Sequence, residues 1–355
     1  MADKPKGRLG KNLFVIGTLV VCVGVMLYFL FTTDGITTLG KIIVSLQLRW
    51  LFLAIGAAFA CWFLEAWVLN RLCRHFLKQW KYTRSFTVGM IGFLYSALTP
   101  FATGGQPMQI YAMNAMGMDA GMAGSIIAVK SLTYQVVMVA YSLVAVALKL
   151  SYFQTSVSNF AFVTLLGLTA NCVYIALIAL FLISERTTDK LLHGSIHVLH
   201  KMKLCRHPEE RYEKIHRELQ MFHGASRLMG NSTGLYAVVM AVTAVQITVN
   251  SLIPYFIYRS FNMSGDSVVT MVAAQVFAVT ISSFVPLPGA SGGAEGCFYL
   301  FFGPYFQAAI IPAILLWRII TYYFNIAFGG IFAYIGSKQN KIALKNPTGN
   351  PLGKE

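Results

Sequence analysis

Four ionisable side chains, Glu65, Lys130, Glu295 and Arg318, stand inside the most apolar stretches of this chain. Placing each in a bilayer core costs roughly 2.5–3.5 kcal/mol on insertion scales, so such groups pair with one another or face water. Two acids and two bases cancel. One reading is a pair of structural ion bridges. The other is a site in which Lys130 and Arg318 meet an anion while Glu295, with Glu65 as a second candidate, meets an ammonium group.

The spacing of these residues adds a second clue. Pro100-Phe-Ala-Thr-Gly-Gly105 is answered 188 positions later by Pro288-Gly-Ala-Ser-Gly-Gly293. At that offset Thr103 matches Ser291, Gly104 and Gly105 match Gly292 and Gly293, and Tyr111 matches Tyr299. Further on, Lys130-Ser-Leu-Thr-Tyr134 echoes Arg318-Ile-Ile-Thr-Tyr322. Seven identities and two conservative pairs across 35 positions describe a duplicated unit. Proline and paired glycines break a helix. At membrane depth such a break survives only when buried in protein or lining a watery cavity. The helices restarting near Gln106-Pro107 and Ala294-Glu295 would aim positive N-terminal ends and free N–H groups into a shared site, an arrangement suited to phosphate. The candidate binding residues are therefore Thr103, Gly104, Gly105, Gln106, Lys130, Ser291, Gly292, Gly293, Glu295, Arg318 and Glu65, with Tyr111, Tyr134, Tyr299 and Tyr322 along the path. Close helix packing is the plainer use of paired glycines, and tyrosine is often a simple interfacial anchor.

The elements that must position these residues are membrane helices. Of 355 residues 56% are hydrophobic and only 12% charged, which excludes an ordinary soluble domain. Spans are expected over Leu13–Thr32, Leu51–Asn70, Met122–Leu148, Phe160–Ile183, Leu235–Tyr258 and Phe306–Ile335, each near or above the ~20 residues a bilayer requires. The first is read as a retained helix, since its apolar run exceeds a signal core and no small-x-small cleavage pattern follows. The segments Phe86–Met118 and Val268–Pro304 carry the repeated phrase. The fold class is an all-α polytopic membrane protein with about six spanning helices and two re-entrant hairpins in an inverted-repeat arrangement; eight full crossings would leave the same loops on the same sides.

Basic residues support the inversion. They cluster in the first 11 residues, over Arg71–Arg84, over Arg186–Arg227 and after Ile335, which places both termini in the cytoplasm by the positive-inside rule. The net charge of +15 is then topology plus attraction to anionic lipid, with no nucleic-acid partner implied. Residues 12–337 form one membrane domain, with repeat units near 51–149 and 235–335, between a basic N-terminus (1–11) and a disordered tail (338–355). The loop 184–230 is too short for a catalytic domain and reads as interfacial helices. Its His193 and His197 lack the intervening Glu of a zinc hydrolase helix, and the six cysteines show no Cys-x-x-Cys, so no metal, cofactor or disulfide framework is expected. No phosphate-binding Gly-x-x-x-x-Gly-Lys-Ser/Thr loop is present, so no ATPase is built in.

On Leu98–Tyr111 and Val285–Gly296, over about Asn12 to Lys338, the chain resembles the transmembrane flippase region of the lysylphosphatidylglycerol synthase/flippases, the family of the multiple peptide resistance factor. The resemblance implies movement of aminoacyl-phosphatidylglycerol to the outer leaflet, and with it resistance to antimicrobial peptides. The resemblance further implies that in full-length relatives a cytosolic domain makes that lipid from lysyl-tRNA, and none is expected within the 20 residues after Ile335. The expected function is a lipid flippase acting on membrane phospholipids in a bacterial cytoplasmic membrane. Aminoacyl-phosphatidylglycerol, a glycolipid and a polyprenyl-phosphate carrier all remain open as cargo. Two alternatives stand beside it: a phosphatidylglycerol lysyltransferase with Glu65 or Glu295 as buried base, and a membrane subunit recruiting a separate aminoacyl-lipid synthase through the 184–230 loop.

Overall fold

A computed structural model describes residues 46–156, 160–201, 208–230, 232–283 and 285–345. The expected span Leu13–Thr32, the basic N-terminus and the tail after Lys345 lie outside them. Among the described residues the architecture is helical throughout. Helices α1 (Leu48–Phe76), α4 (Ala120–Ser156) and α5 (Phe160–Ile183) are long and apolar enough to cross a bilayer. So is the pair α8 (Thr233–Ser251) and α9 (Ile253–Ser260), which together form one crossing interrupted before Pro254. Proline has no N–H to donate, so the helix breaks and restarts there.

The continuous apolar run Gly293–Gly336 is not one straight helix. Helix α11 (Gly293–Phe306) ends at Gln307, whose φ of 47° lies in the left-handed region, and α12 (Ile310–Arg318) begins after a short 3-10 turn. Phe298 and Trp317 are 19 positions apart, yet their rings lie 4.9 Å from one another. A straight helix would separate them by about 28 Å, so the chain turns back between them. Helix α12 continues through a π-helical turn, Ile319–Tyr323, into α13 (Phe324–Lys345), which runs past the point where the sequence suggests a disordered tail.

The two segments carrying the repeated phrase are hairpins. Helix α2 (Tyr82–Leu98, 17 residues) returns through α3 (Gly105–Ala115, 11 residues), and α10 (Val268–Ser282, 15 residues) returns through α11 (14 residues). At 1.5 Å per residue every arm is shorter than the ~30 Å hydrocarbon core. The arms lie close: a Cβ on Gly105 would sit 2.7 Å from the Gly92 carbonyl, and one on Gly293 2.2 Å from Val285. The packing use of the glycines is thus realised together with the hairpin.

Burial shows that the hairpins enter from opposite ends. One core joins Val68, Leu69, Leu72 and Cys73 near the end of α1 with Ala123–Val129 near the start of α4 and with Ala112 and Met113 of the first hairpin. The other joins Ala54, Ala57 and Ala58 near the start of α1 with Ala145 and Phe153 toward the end of α4 and with Phe277, Phe298 and Phe302 of the second hairpin. Each hairpin therefore packs at a different end of the same two spanning helices, which is the inverted arrangement the repeat calls for.

The hairpins meet at their tips, where Pro100 and Pro288 form an isolated antiparallel bridge. The tips have matching backbones. Phe101 and Ala102 have φ of 53° and 54°; Gly289 and Ala290, their counterparts, have 57° and 54°. In both, the third residue donates its N–H back across the proline (Ala102 to Thr99, 3.2 Å; Ala290 to Leu287, 2.9 Å), and the fourth donates to the proline carbonyl (Thr103 to Pro100, 3.2 Å; Ser291 to Pro288, 3.1 Å). A proline followed by a left-handed residue is the geometry of a type II turn. Non-glycine residues pay about 1–3 kcal/mol to occupy it, so Phe101, Ala102 and Ala290 must be held there by their surroundings.

The loop 184–230 forms two helices, α6 (Glu185–Lys201) and α7 (Pro208–Gly230). Helix α7 lies against the start of α4: the Gly121 N–H donates to Glu218 Oε2 at 2.7 Å, and Ser226 Oγ reaches Ser125 at 3.2 Å. Asp189 of α6 accepts hydrogen bonds from Tyr212 Oη and, through Nδ1, from His216, both at 2.9 Å.

Two outcomes test this fold. Bridge partners in an antiparallel ladder lie about 4.5–5.5 Å apart at Cα, within disulfide range. Pro100→Cys with Pro288→Cys, in a background without other cysteines, should cross-link on oxidation; mass analysis of the double and single variants decides it. Hydrogen bonds from Tyr212, and then from His216, hold the Asp189 carboxyl below its ordinary value. The folded state thus binds fewer protons than the unfolded one, so this tie contributes above about pH 4 and is lost as pH falls through the lowered value. Acid melting curves should show a dependence that Asp189→Asn flattens, by no more than about 1 kcal/mol given the exposure of the pair.

Candidate functional site

Glu65 lies on α1 between the stretches that feed the two cores, and Lys130 lies on α4 immediately after Val129. They form an ion pair with side chains only 12% and 14% exposed. Lys130 Nζ also donates to Gln109 Oε1 of α3 at 3.0 Å, and Gln246 Nε2 of α8 donates to Glu65 Oε2 at 3.3 Å. Helices α1, α3, α4 and α8 thus each contribute one polar side chain to a single cluster. Gln109 reaches it because Gly92 of the facing arm has no side chain: a Cβ there would lie 2.3 Å from the Gln109 amide nitrogen.

This cluster forms part of the wall of a partly open cavity of about 520 Å³. Of the candidates read from the sequence, Glu65, Thr103, Gly105, Gln106, Lys130 and Tyr134 line it. Gln109, Gln135, Tyr174 and Gln246 line it as well, although the sequence reading passed over them. A glutamine within an apolar span costs less than a charge and is easily passed over, yet Gln246 in α8 and Gln109 just after the repeated phrase were the available signals. Gln106 is steadied by Tyr174 Oη at 3.1 Å.

The second copy of the phrase is arranged differently. Glu295 Oε2 accepts the Gly292 N–H at 2.6 Å, capping α11, and pairs with Arg318 Nη2 at 2.7 Å. Arg318 Nη1 donates to the Gly289 carbonyl at 3.3 Å, and its guanidinium lies 5.1 Å from the ring centres of Trp317 and Tyr322. Tyr322 Oη donates to the Ala97 carbonyl of the first hairpin at 3.1 Å. The Cβ of any residue replacing Gly289 would collide with the Tyr322 ring, at a φ that already disfavours one. Ser291, Gly292, Gly293, Glu295, Arg318 and Tyr322 therefore gather around the second tip and do not line the cavity. Tyr111 and Tyr299, 66% and 57% exposed, also lie off it, on the outer surface.

The two basic residues of the repeat thus have opposite surroundings. Lys130 and its carboxylate face a cavity, whereas Arg318 and its carboxylate tie a hairpin tip to the following helix. Each pair is an ion bridge, and one of them borders open space.

An inverted pair of hairpin-bearing halves, with an ion pair bordering a cavity between spanning helices, defines an all-α polytopic membrane protein. The family model described as the lysylphosphatidylglycerol synthase TM region matches residues 14–329, and the chain belongs to that family. A UPF0104 membrane protein of Archaeoglobus fulgidus is similar to it, 25% identical over 353 residues, covering 93% of this chain and 100% of that protein.

Removing one partner of a buried pair leaves an uncompensated charge, at a cost of about 3–5 kcal/mol, whereas replacing both is much milder. Lys130→Met should therefore lower the melting temperature in detergent well below that of Glu65→Gln/Lys130→Gln; equal melting of the two would show that the pair is not buried as described.

Proposed function

We propose that this chain is a lipid flippase that moves a phosphate-headed lipid between leaflets, with aminoacyl-phosphatidylglycerol the best-matched cargo. The observation that carries the reading is the cavity beside the Lys130–Glu65 pair, lined also by Phe101, Ala102 and Thr103 at the tip of the first hairpin. Its volume falls in the range of small-ligand sites and suits a head group. Its walls offer Lys130, glutamine amides and tyrosine hydroxyls to phosphate and carbonyl oxygens. Acyl chains would stay in the bilayer while one half rocks against the other.

The family's name supports the choice of lipid, and a separate aminoacyl-lipid synthase would supply it. The basic clusters support a cytoplasmic-membrane setting with both termini inside. The lysyltransferase reading is weaker, because both candidate bases are ion-paired, Glu65 with Lys130 and Glu295 with Arg318, and among the described residues no histidine or cysteine lines the cavity.

Proteoliposomes loaded with lysyl-phosphatidylglycerol and probed with an amine reagent that cannot the bilayer cross give the test. The wild-type chain should expose inner-leaflet lipid faster than protein-free vesicles, and Lys130→Ala should lose most of that gain while still inserting. Arg318→Ala should act chiefly through yield and melting. Wild-type rates equal to empty vesicles, for this lipid and for other phosphate-headed ones, would overturn the reading.

A further inference from the structure

Lys130 is not a free cation waiting for phosphate: Glu65 already neutralises it, and both side chains are largely shielded from water. A head group that carried only a phosphate would have to draw Lys130 away from Glu65. It would leave that carboxylate inside a low-dielectric site with neutral glutamine amides in place of its cation. An unpaired buried charge is among the costliest outcomes available to a site. A head group carrying both a phosphate and an ammonium avoids it, since the phosphate takes Lys130, the ammonium takes Glu65, and two ion pairs replace one.

On the flippase reading above, we infer that the Glu65–Lys130 pair is a selectivity element that admits lipids whose heads carry an ammonium as well as a phosphate. Purely anionic phospholipids are rejected through Glu65. Glu295, the other candidate for an ammonium partner, does not share this task, because it does not line the cavity and instead holds Arg318 and the Gly292 N–H at the second tip. Gln109 and Gln246 sit as the hinges of the exchange: Gln109 accepts from Lys130 and Gln246 donates to Glu65, and these neutral amides can keep each in place as its charged partner changes.

Binding, measured apart from transport, tests this. Detergent-solubilised protein is titrated with phosphatidylethanolamine, lysyl-phosphatidylglycerol and phosphatidylglycerol, and bound lipid is counted by native mass spectrometry. The wild-type chain should prefer the two amine-bearing lipids over phosphatidylglycerol by roughly tenfold or more, the size expected of one uncompensated charge. Glu65→Gln, nearly isosteric, should remove or reverse that preference by gaining affinity for phosphatidylglycerol. If that variant does not elute as a folded species, Glu65→Gln/Lys130→Gln, which leaves no lone charge, should bind all three lipids alike. Unchanged preference in either folded variant, or no preference in the wild type, overturns the inference. Glycerophosphoethanolamine, which has the same head and no acyl chains, separates the sources. Competition by it as strong as by the lipid would keep the selectivity and overturn the lipid reading. Selective lipid binding without leaflet exchange would overturn the flippase alone.

Discussion

Everything in this structure follows from the need to hide broken backbone in hydrocarbon. A helix interrupted by proline and glycine exposes carbonyls and N–H groups that lipid cannot satisfy. Here the two interruptions are turned toward each other. Pro100 bridges to Pro288, the Tyr322 hydroxyl caps the Ala97 carbonyl of the opposite hairpin, and Arg318 caps the Gly289 carbonyl of its own. Neither tip could exist alone at that depth, so each half of the molecule is a structural requirement of the other.

Once the tips are joined, the remaining space is decided by side-chain size and charge. The glycines let the arms of each hairpin close, and Gly92 lets Gln109 pass to Lys130. The spanning helices α1 and α4 each serve both cores, one at either end, with the ion pair between them. The cavity lies where the two cores stop. Duplicated halves have here diverged, since Lys130 takes its carboxylate from a spanning helix and Arg318 takes its from the adjoining hairpin arm.

Much of this was legible in the sequence, for reasons that differ by feature. Spanning helices announce themselves because a bilayer demands long apolar runs, and Phe160–Ile183 is bounded in the structure as it is in the sequence. The duplicated phrase revealed the hairpins because proline and paired glycines have few other uses at that depth. Pairing was less legible. Charge balance required that Glu65, Glu295, Lys130 and Arg318 find partners, but the partner of each depends on helix rotation and tilt, which local spacing does not set. The same limit explains why one shared site was expected where the structure places a cavity by one tip and a sealed cluster at the other. It also explains Gln109 and Gln246, whose importance comes from what they face.

The first hairpin carries no charged side chain from Ser85 to Met118. In the second, Glu295 is the one Asp, Glu, Lys, Arg or His between Val268 and Phe306, and Arg318 offsets it. A membrane potential does work on a moving part only in proportion to the charge that part carries through the field, about 2.3 kcal/mol per charge per 100 mV. Movement of the stretch Ser85–Met118 would therefore be electrically silent, as would movement of the second hairpin together with its arginine, and Arg84 at the start of α2 is the one charge the first hairpin carries. On the flippase reading proposed above, the voltage dependence of transport would be owed mainly to the lipid, and a lipid whose own charges balance would cross with almost none.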